Sequence, residues 1–198
     1  MIEFNYSTLG EEIVLTLKTN VTEIGTFHRM AKVIYILGWD IISGDIQTIH
    51  ESGGEMALDI LKIRSDGRNQ NEKAVEIGYL MDAIFSKKED IDELLKNYKF
   101  KPVEPRNFFR EKAELVFEDD LEKKATVFYI EADSGRGLLY HITKVLLDYK
   151  INIISGIIDT DPITERARDT FYLQDEKGNL FGKTEIVNKI REDILKPL

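Results

Sequence analysis

The chain has 198 residues, 42% hydrophobic and 32% charged, with a formal net charge of −9 and no cysteine. The acidic balance argues against nucleic acid and anionic membrane surfaces as partners, because both are held mainly by Lys and Arg. Without cysteine there is no disulfide framework, thiolate metal site or thiol nucleophile, and no cofactor is expected.

Ile2 to Tyr6 is predicted as a strand and Glu11 to Thr19 as a second, broken at Asn20 to Gly25. Phe27, Met30, Ala31, Ile34 and Leu37 recur at helical spacing and stop at Gly38. Asp40 to His50 and Glu55 to Ile63 read as a hairpin across Ser52-Gly53-Gly54, followed by a helix from about Asn71 to Phe85. Lys88 to Tyr98 carries Ile91, Leu94 and Leu95 among acids and predicts a short extra helix. Two prolines, Pro102 and Pro105, mark a linker. Strands are expected at Ala113 to Glu118 and Ala125 to Ala132, around a polar turn at Asp119 to Lys124. Asp133-Ser134-Gly135-Arg136-Gly137 breaks the second, and Leu138, Leu139, Ile142, Val145, Leu146 and Tyr149 outline an amphipathic helix. Ile151 to Asp159 and Ala167 to Asp175 are further strands; Thr184 is the expected N-cap of a last helix carrying Ile186, Val187, Ile190 and Ile194. No apolar run approaches the roughly 20 residues that span a bilayer. Met1 to Tyr6 lack the basic and apolar regions of a signal peptide, so a cytoplasmic protein is expected.

The chain is written twice. Ile41-Ile42-Ser43-Gly44 returns as Ile153-Ile154-Ser155-Gly156, and 16 positions before each stands a glycine that opens a helix, Gly25 and Gly137. Asp40 and Asn152 precede the two copies, and Thr48 and Thr160 follow at equal distance. A constant offset over separate features means a duplicated supersecondary unit. The domains are read as 1–98 and 113–198, joined by a linker over 99–112. Each reads β-β-α-β-β-α, an α+β class with a four-stranded antiparallel sheet and helices on one face. Relative to the usual split order β-α-β-β-α-β this is a circular permutation, the leading strand taking the edge place of a missing last one. The bare sheet face should be covered by the other copy or another chain.

The stretch Asp133 to Asn179 carries a further pattern. A strand ends in an Asp/Gly-rich turn, Gly137-Leu138-Leu139 opens the helix, and a β-branched strand follows Asn152-Ile153. Asp169-Thr170-Phe171-Tyr172-Leu173-Gln174-Asp175 then runs into a glycine turn. This resembles the ACT domain, a ferredoxin-like ligand-binding regulatory module of amino-acid metabolism. In particular it resembles the tandem pair at the C-terminus of bacterial protein-PII uridylyltransferases and proteins built of ACT repeats. The first copy keeps Asn20 and Gly25, but Thr26-Phe27 replace the two leucines. The family turn usually reads Asp-Arg-Pro-Gly-Leu-Leu; here Asp133 sits one place earlier and Arg136 stands where proline is expected. The transferases' catalytic parts, a Gly-Ser turn with paired aspartates and a His-Asp metal site, have no counterpart. His28, His50 and His141 include no adjacent His-Asp pair. The resemblance therefore implies a non-catalytic regulatory protein of nitrogen or amino-acid metabolism.

Asp133, Ser134, Gly135, Arg136, Gly137 and Leu138 lie where a strand meets a helix N-terminus, so amides and dipole favour an anion such as an amino-acid carboxylate. The plainer alternative is that Asp133 or Ser134 only caps the helix. Asn20, Thr22 and Gly25 hold the same position in the first copy, where Glu23 would repel a carboxylate. The resemblance implies that the ligand also touches the next strand, here Asn152 and Ile153, often across a domain seam. It further implies pairing of ACT sheets edge to edge or helix to helix, as a homo-oligomer or between domains, with a regulated enzyme as a further partner. A ligand-free interaction module is the other reading. His28 and His141 are expected as partly exposed helix residues, with a metal or pH-sensing pair as the alternative. Asp59 and Asp169 are expected on the solvent side of matching strands, and Glu118-Asp119-Asp120 as a solvated turn.

Overall fold

A computed structural model describes residues 2–64, 70–96, 107–110 and 113–198. The first copy contains β1 (Ile2–Leu9), β2 (Glu12–Thr19), α1 (Thr26–Ile36), β3 (Asp40–Glu51), β4 (Gly54–Arg64), α2 (Gln70–Phe85) and α3 (Ile91–Leu95). The second contains β5 (Glu114–Asp120), β6 (Ala125–Asp133), α4 (Leu138–Asp148), β7 (Asn152–Asp159), β8 (Arg166–Gln174) and α5 (Ile186–Ile194). The class is α+β, and both copies follow β-β-α-β-β-α, the ferredoxin-like permuted order. Most of the linker expected over 99–112 lies outside the described residues. Of its described part, Phe108 is buried, and its carbonyl accepts the Asp133 N–H at 2.9 Å.

The strands of both copies form one antiparallel sheet in the order β1-β2-β4-β3-β7-β8-β6-β5. The order is a palindrome of the two units, which meet at β3 and β7. Ser43 pairs with Asp159, Gly44 with Ile158, Asp45 with Ile157 and Ile46 with Gly156. Each seam strand carries a register shift in its repeated tetrapeptide, at Ile41/Ser43 and at Ile153/Ser155. The glycines of these tetrapeptides permit close approach. A Cβ on Gly44 would stand 2.7 Å from the Ile60 carbonyl oxygen, and one on Gly156 2.8 Å from the Phe171 ring.

The alternation of β2 and β6 gives one buried face. Ile13, Leu15 and Leu17 in β2, with Phe128, Ile130 and Ala132 in β6, point into a core that runs unbroken across the seam. Helices α1 and α4 pack on each other above the seam, α2 packs on β1 and β2, and α5 packs on α4. The second copy thus extends the sheet sideways. It does not cover the bare face as expected, and Ile60 and Ile157 remain exposed there. The reason is the seam itself: β3 and β7 leave backbone donors and acceptors along their edges, and pairing them satisfies both.

Several local expectations are corrected. Thr184 does not cap α5; its hydroxyl donates to the Phe181 carbonyl at 2.6 Å, and Glu185 holds the cap position without a side-chain bond. Glu118-Asp119-Asp120 ends β5 and is not simply a solvated turn. Asp119 Oδ1 accepts from Thr126 Oγ1 and from the Gly182 N–H, each at 2.8 Å, tying the chain before α5 to β6.

Candidate functional site

The two repeat loops reach the seam and face the opposite unit. Gly25 and Gly137 are the N-cap residues of α1 and α4, at φ of 88° and 101°, with no side-chain cap in either case. This left-handed backbone favours glycine. A Cβ on Gly25 would lie 2.9 Å from Leu147 Cδ1 in α4, and one on Gly137 2.9 Å from the Tyr35 ring in α1. Each helix start is thereby seated against the other unit's helix.

The capping alternative for Asp133 and Ser134 fails on these contacts. Asp133 Oδ1 accepts from Arg166 Nη1 at 2.7 Å, and Ser134 Oγ lies 3.1 Å from Thr160 Oγ1. Ser134 N–H donates to the Glu165 carbonyl and Leu138 N–H to the Gly135 carbonyl. The ends of the expected anion loop are therefore committed, and the Gly135 and Gly137 amides lie between them. The Arg136 guanidinium crosses the seam to stand 5.6 Å over the Tyr35 ring, which stacks on Tyr140 at 4.8 Å.

Two cavities flank the seam in pseudo-symmetric places. The larger, of about 430 Å³, takes Ser134, Gly135 and Arg136 from the second unit and Asp40, Ile42 and Ser43 from the first. Lys62 and Arg64 lie on its wall with Glu12, Asp159, Asp161 and Glu165. It thus presents both signs of charge. The smaller, of about 30 Å³, takes Thr22, Glu23, Gly25 and Thr26 from the first unit and Asn152 and Ile153 from the second. The candidate residues therefore divide: Asn152 and Ile153 meet the first loop, not the second. Leu138 lines a minor cavity of about 10 Å³ next to the large one, with Asp40, Ser134, Gly135 and Thr160. Asp133, Gly137 and Asn20 line none of the three. Swapping across the seam follows from the antiparallel β3–β7 pairing, which lays the start of each strand beside the other unit's loop.

Sequence reasoning misplaced Asp59 and Asp169. Both are 1% exposed, on the helix-covered face. Asp59 lines the smaller cavity, and neither of its carboxylate oxygens has a hydrogen-bond partner among the described residues. Burial alone drives its pKa up to about 8. Asp169 lines the minor cavity; Oδ1 accepts the Asp159 N–H at 3.2 Å, and Oδ2 has no partner among the described residues. Burial raises it to about 7, the Asp159 amide opposing and the Asp159 and Asp40 carboxylates adding to the rise. A signal was available: Asp59-x-Leu61-x-Ile63 and Ala167-x-Asp169-x-Phe171 put each acid in phase with core residues.

His28 and His141 are buried, against expectation, and do not pair with each other. His28 Nδ1 lies 3.1 Å from Thr143 Oγ1, and Thr143 Oγ1 is 2.7 Å from the Leu139 carbonyl, which only accepts. The Thr143 hydrogen is therefore spent there, so His28 Nδ1 donates and Nε2 keeps its lone pair. Burial, with Lys32 next, lowers the His28 pKa to about 4, so the ring is neutral. His141 Nε2 instead bonds the Ile194 carbonyl at 2.8 Å, and burial lowers its pKa also. No group of three or more His, Cys, Asp or Glu suited to a metal occurs among the described residues. No helix among them is long and apolar enough to cross a membrane.

No protein-family model matches the chain. The chain is 24% identical over 179 residues to the bifunctional uridylyltransferase/uridylyl-removing enzyme of Azospirillum brasilense, covering 88% of this chain and 18% of that protein. It is 24% identical over 171 residues to the enzyme of the same description from Rhodospirillum rubrum, covering 85% and 18%. An aspartate kinase crystal structure from Synechocystis aligns over 95% of this chain and 28% of its own, at 13% identity and a TM-score of 0.47. The chain spans less than a fifth of the length of these curated relatives. It is a chain of two β-β-α-β-β-α units, similar in sequence to part of the bifunctional uridylyltransferase/uridylyl-removing enzymes.

Proposed function

We propose that this chain is a non-catalytic regulatory module that binds a small amino acid or related metabolite at the seam between two ACT-like domains, 1–98 and 113–198. The supporting observation is the cavity of about 430 Å³ built from both units, with Ser134, Gly135 and Arg136 on one side and Asp40, Ile42 and Ser43 on the other. Its walls carry both signs of charge, as a zwitterion requires, and the Gly135 amide offers a donor to a carboxylate. Because the walls belong to different units, a ligand there favours one packing of the seam over others, which is the physical content of regulation. A regulated enzyme and a second copy of the chain are the partners this reading implies, in a cytoplasmic setting.

The second reading is a ligand-free interaction module. The outer strands of the sheet, β1 and β5, each have one edge that pairs with no strand among the described residues, a surface suited to strand addition by a partner. Thermal unfolding with a panel of amino acids separates the two. A ligand at a hundred times its dissociation constant adds about 2.7 kcal/mol. Stabilisation by one or a few amino acids supports the first reading; a flat panel leaves the second.

A further inference from the structure

The smaller seam cavity differs from the larger in its chemistry. Among the described residues, its only charged lining residues are Glu23 and Asp59, with no Lys or Arg. Glu23 is exposed and paired with Arg29 at 3.2 Å, and Asp59 is the buried carboxyl of the lining. The same lining includes further acceptors. Thr48 Oγ1 spends its hydrogen on the Ile154 carbonyl at 2.9 Å across the seam and keeps its lone pairs. His28 is held with Nδ1 donating to Thr143, which leaves an acceptor at Nε2. A buried carboxylate with two unpartnered oxygens is costly unless a counter-charge meets it. No side chain among the lining residues supplies one.

We propose that this cavity is a site for a protonated primary amine, with the Asp59 carboxylate as its counter-ion and Thr48 Oγ1 and His28 as further acceptors. The ammonium group has three hydrogens for such a set. It is close to a water molecule in size and fits a volume of about 30 Å³, while the rest of the molecule extends past exposed Gln47 and Glu23 at the mouth. A divalent ion fits less well, since Ca²⁺ takes six to eight oxygens and no suited cluster occurs among the described residues. The proposal is independent of any ligand in the larger cavity.

Titration by amide NMR at constant ionic strength tests it with three probes: methylammonium chloride, glycine and sodium acetate. Methylammonium should bind saturably in the millimolar range, the scale open to a ligand of two heavy atoms. It should shift the amides of Thr26–His28 and Leu58–Ile60, with acetate inert. Glycine binding more tightly than methylammonium marks an amino acid as the natural source; methylammonium binding alone marks a simple amine. Asp59→Asn should weaken amine binding at least tenfold, whereas Asp45→Asn, an exposed carboxylate control, should not. Thr48→Val, which removes one acceptor at equal size, should weaken it a few-fold and serves if Asp59→Asn does not fold. Saturation by neither amine in the parent protein overturns the proposal. So does acetate binding as well as methylammonium, or undiminished binding in folded Asp59→Asn.

Discussion

Asp59 and Asp169 hold the same place in the two units. Asp59 stands two residues before Leu61, the partner of Gly44; Asp169 stands two residues before Phe171, the partner of Gly156. The duplication that aligns the two tetrapeptides therefore also places one buried carboxylate under each side of the seam.

These carboxylates predict a pH dependence. Both have folded pKa values, about 8 and about 7, raised above the ordinary 3.8. Below pH about 4 both states hold the proton and neither acid penalises folding. As pH rises toward 7–8 the unfolded chain ionises and the folded one does not, so stability falls through that window and then levels. Across the whole window the cost is about 4 kcal/mol for Asp169 and about 6 kcal/mol for Asp59. Urea unfolding at pH 5 and pH 8.5 checks this. Asp59→Asn should gain stability relative to the parent at pH 8.5 and gain less at pH 5. An equal effect at both values contradicts it.

The helix starts predict sharp glycine effects. Gly25→Ala and Gly137→Ala each force a side chain into left-handed backbone, about 1–2 kcal/mol, and press it against Leu147 or Tyr35. A total loss of about 2–4 kcal/mol is expected for each. Gly53→Ala, with nothing within 4 Å of its added carbon, should change stability by less than about 0.5 kcal/mol. Denaturant midpoints of the three variants decide it. A charged residue at Gly137 would unfold the seam for the same reason, so it is a poor probe of anion binding.

Thr126 is the hub that holds the chain before α5. Fully buried, it donates to Asp119 Oδ1 and accepts the Phe181 and Gly182 amides at 2.9 and 3.1 Å. Thr126→Val keeps the shape and strips these bonds, with an expected loss of about 2–4 kcal/mol, the scale of stranded buried polar groups. Amide exchange should quicken in α5 ahead of β6 and β8.

The duplication could be read from the sequence because the repeated residues answer steric demands. Gly44 and Gly156 sit where any side chain would strike a neighbouring strand, and Gly25 and Gly137 where the backbone turns left-handed. Strand and helix order followed from periodicity, since the apolar phase is set within each unit. The seam was not legible. Nothing local tells Asn152 that it faces Thr22 and not Ser134, because that depends on the antiparallel β3–β7 pairing between residues more than 100 apart. The buried acids were misread because charge was weighed above phase. Thr184 was misread because its hydroxyl finds the Phe181 carbonyl before it can reach a helix amide.

The account rests on a ligand bridging the two units at the larger cavity. The direct measurement is an amide NMR titration with whichever amino acid raises the melting midpoint. Saturable shifts should appear together at Gly135–Gly137 and at Asp40–Ser43, with one dissociation constant for both, and Arg136→Ala should weaken it. No saturable shift at either stretch with any amino acid, or shifts confined to one unit's outer face, would contradict the account.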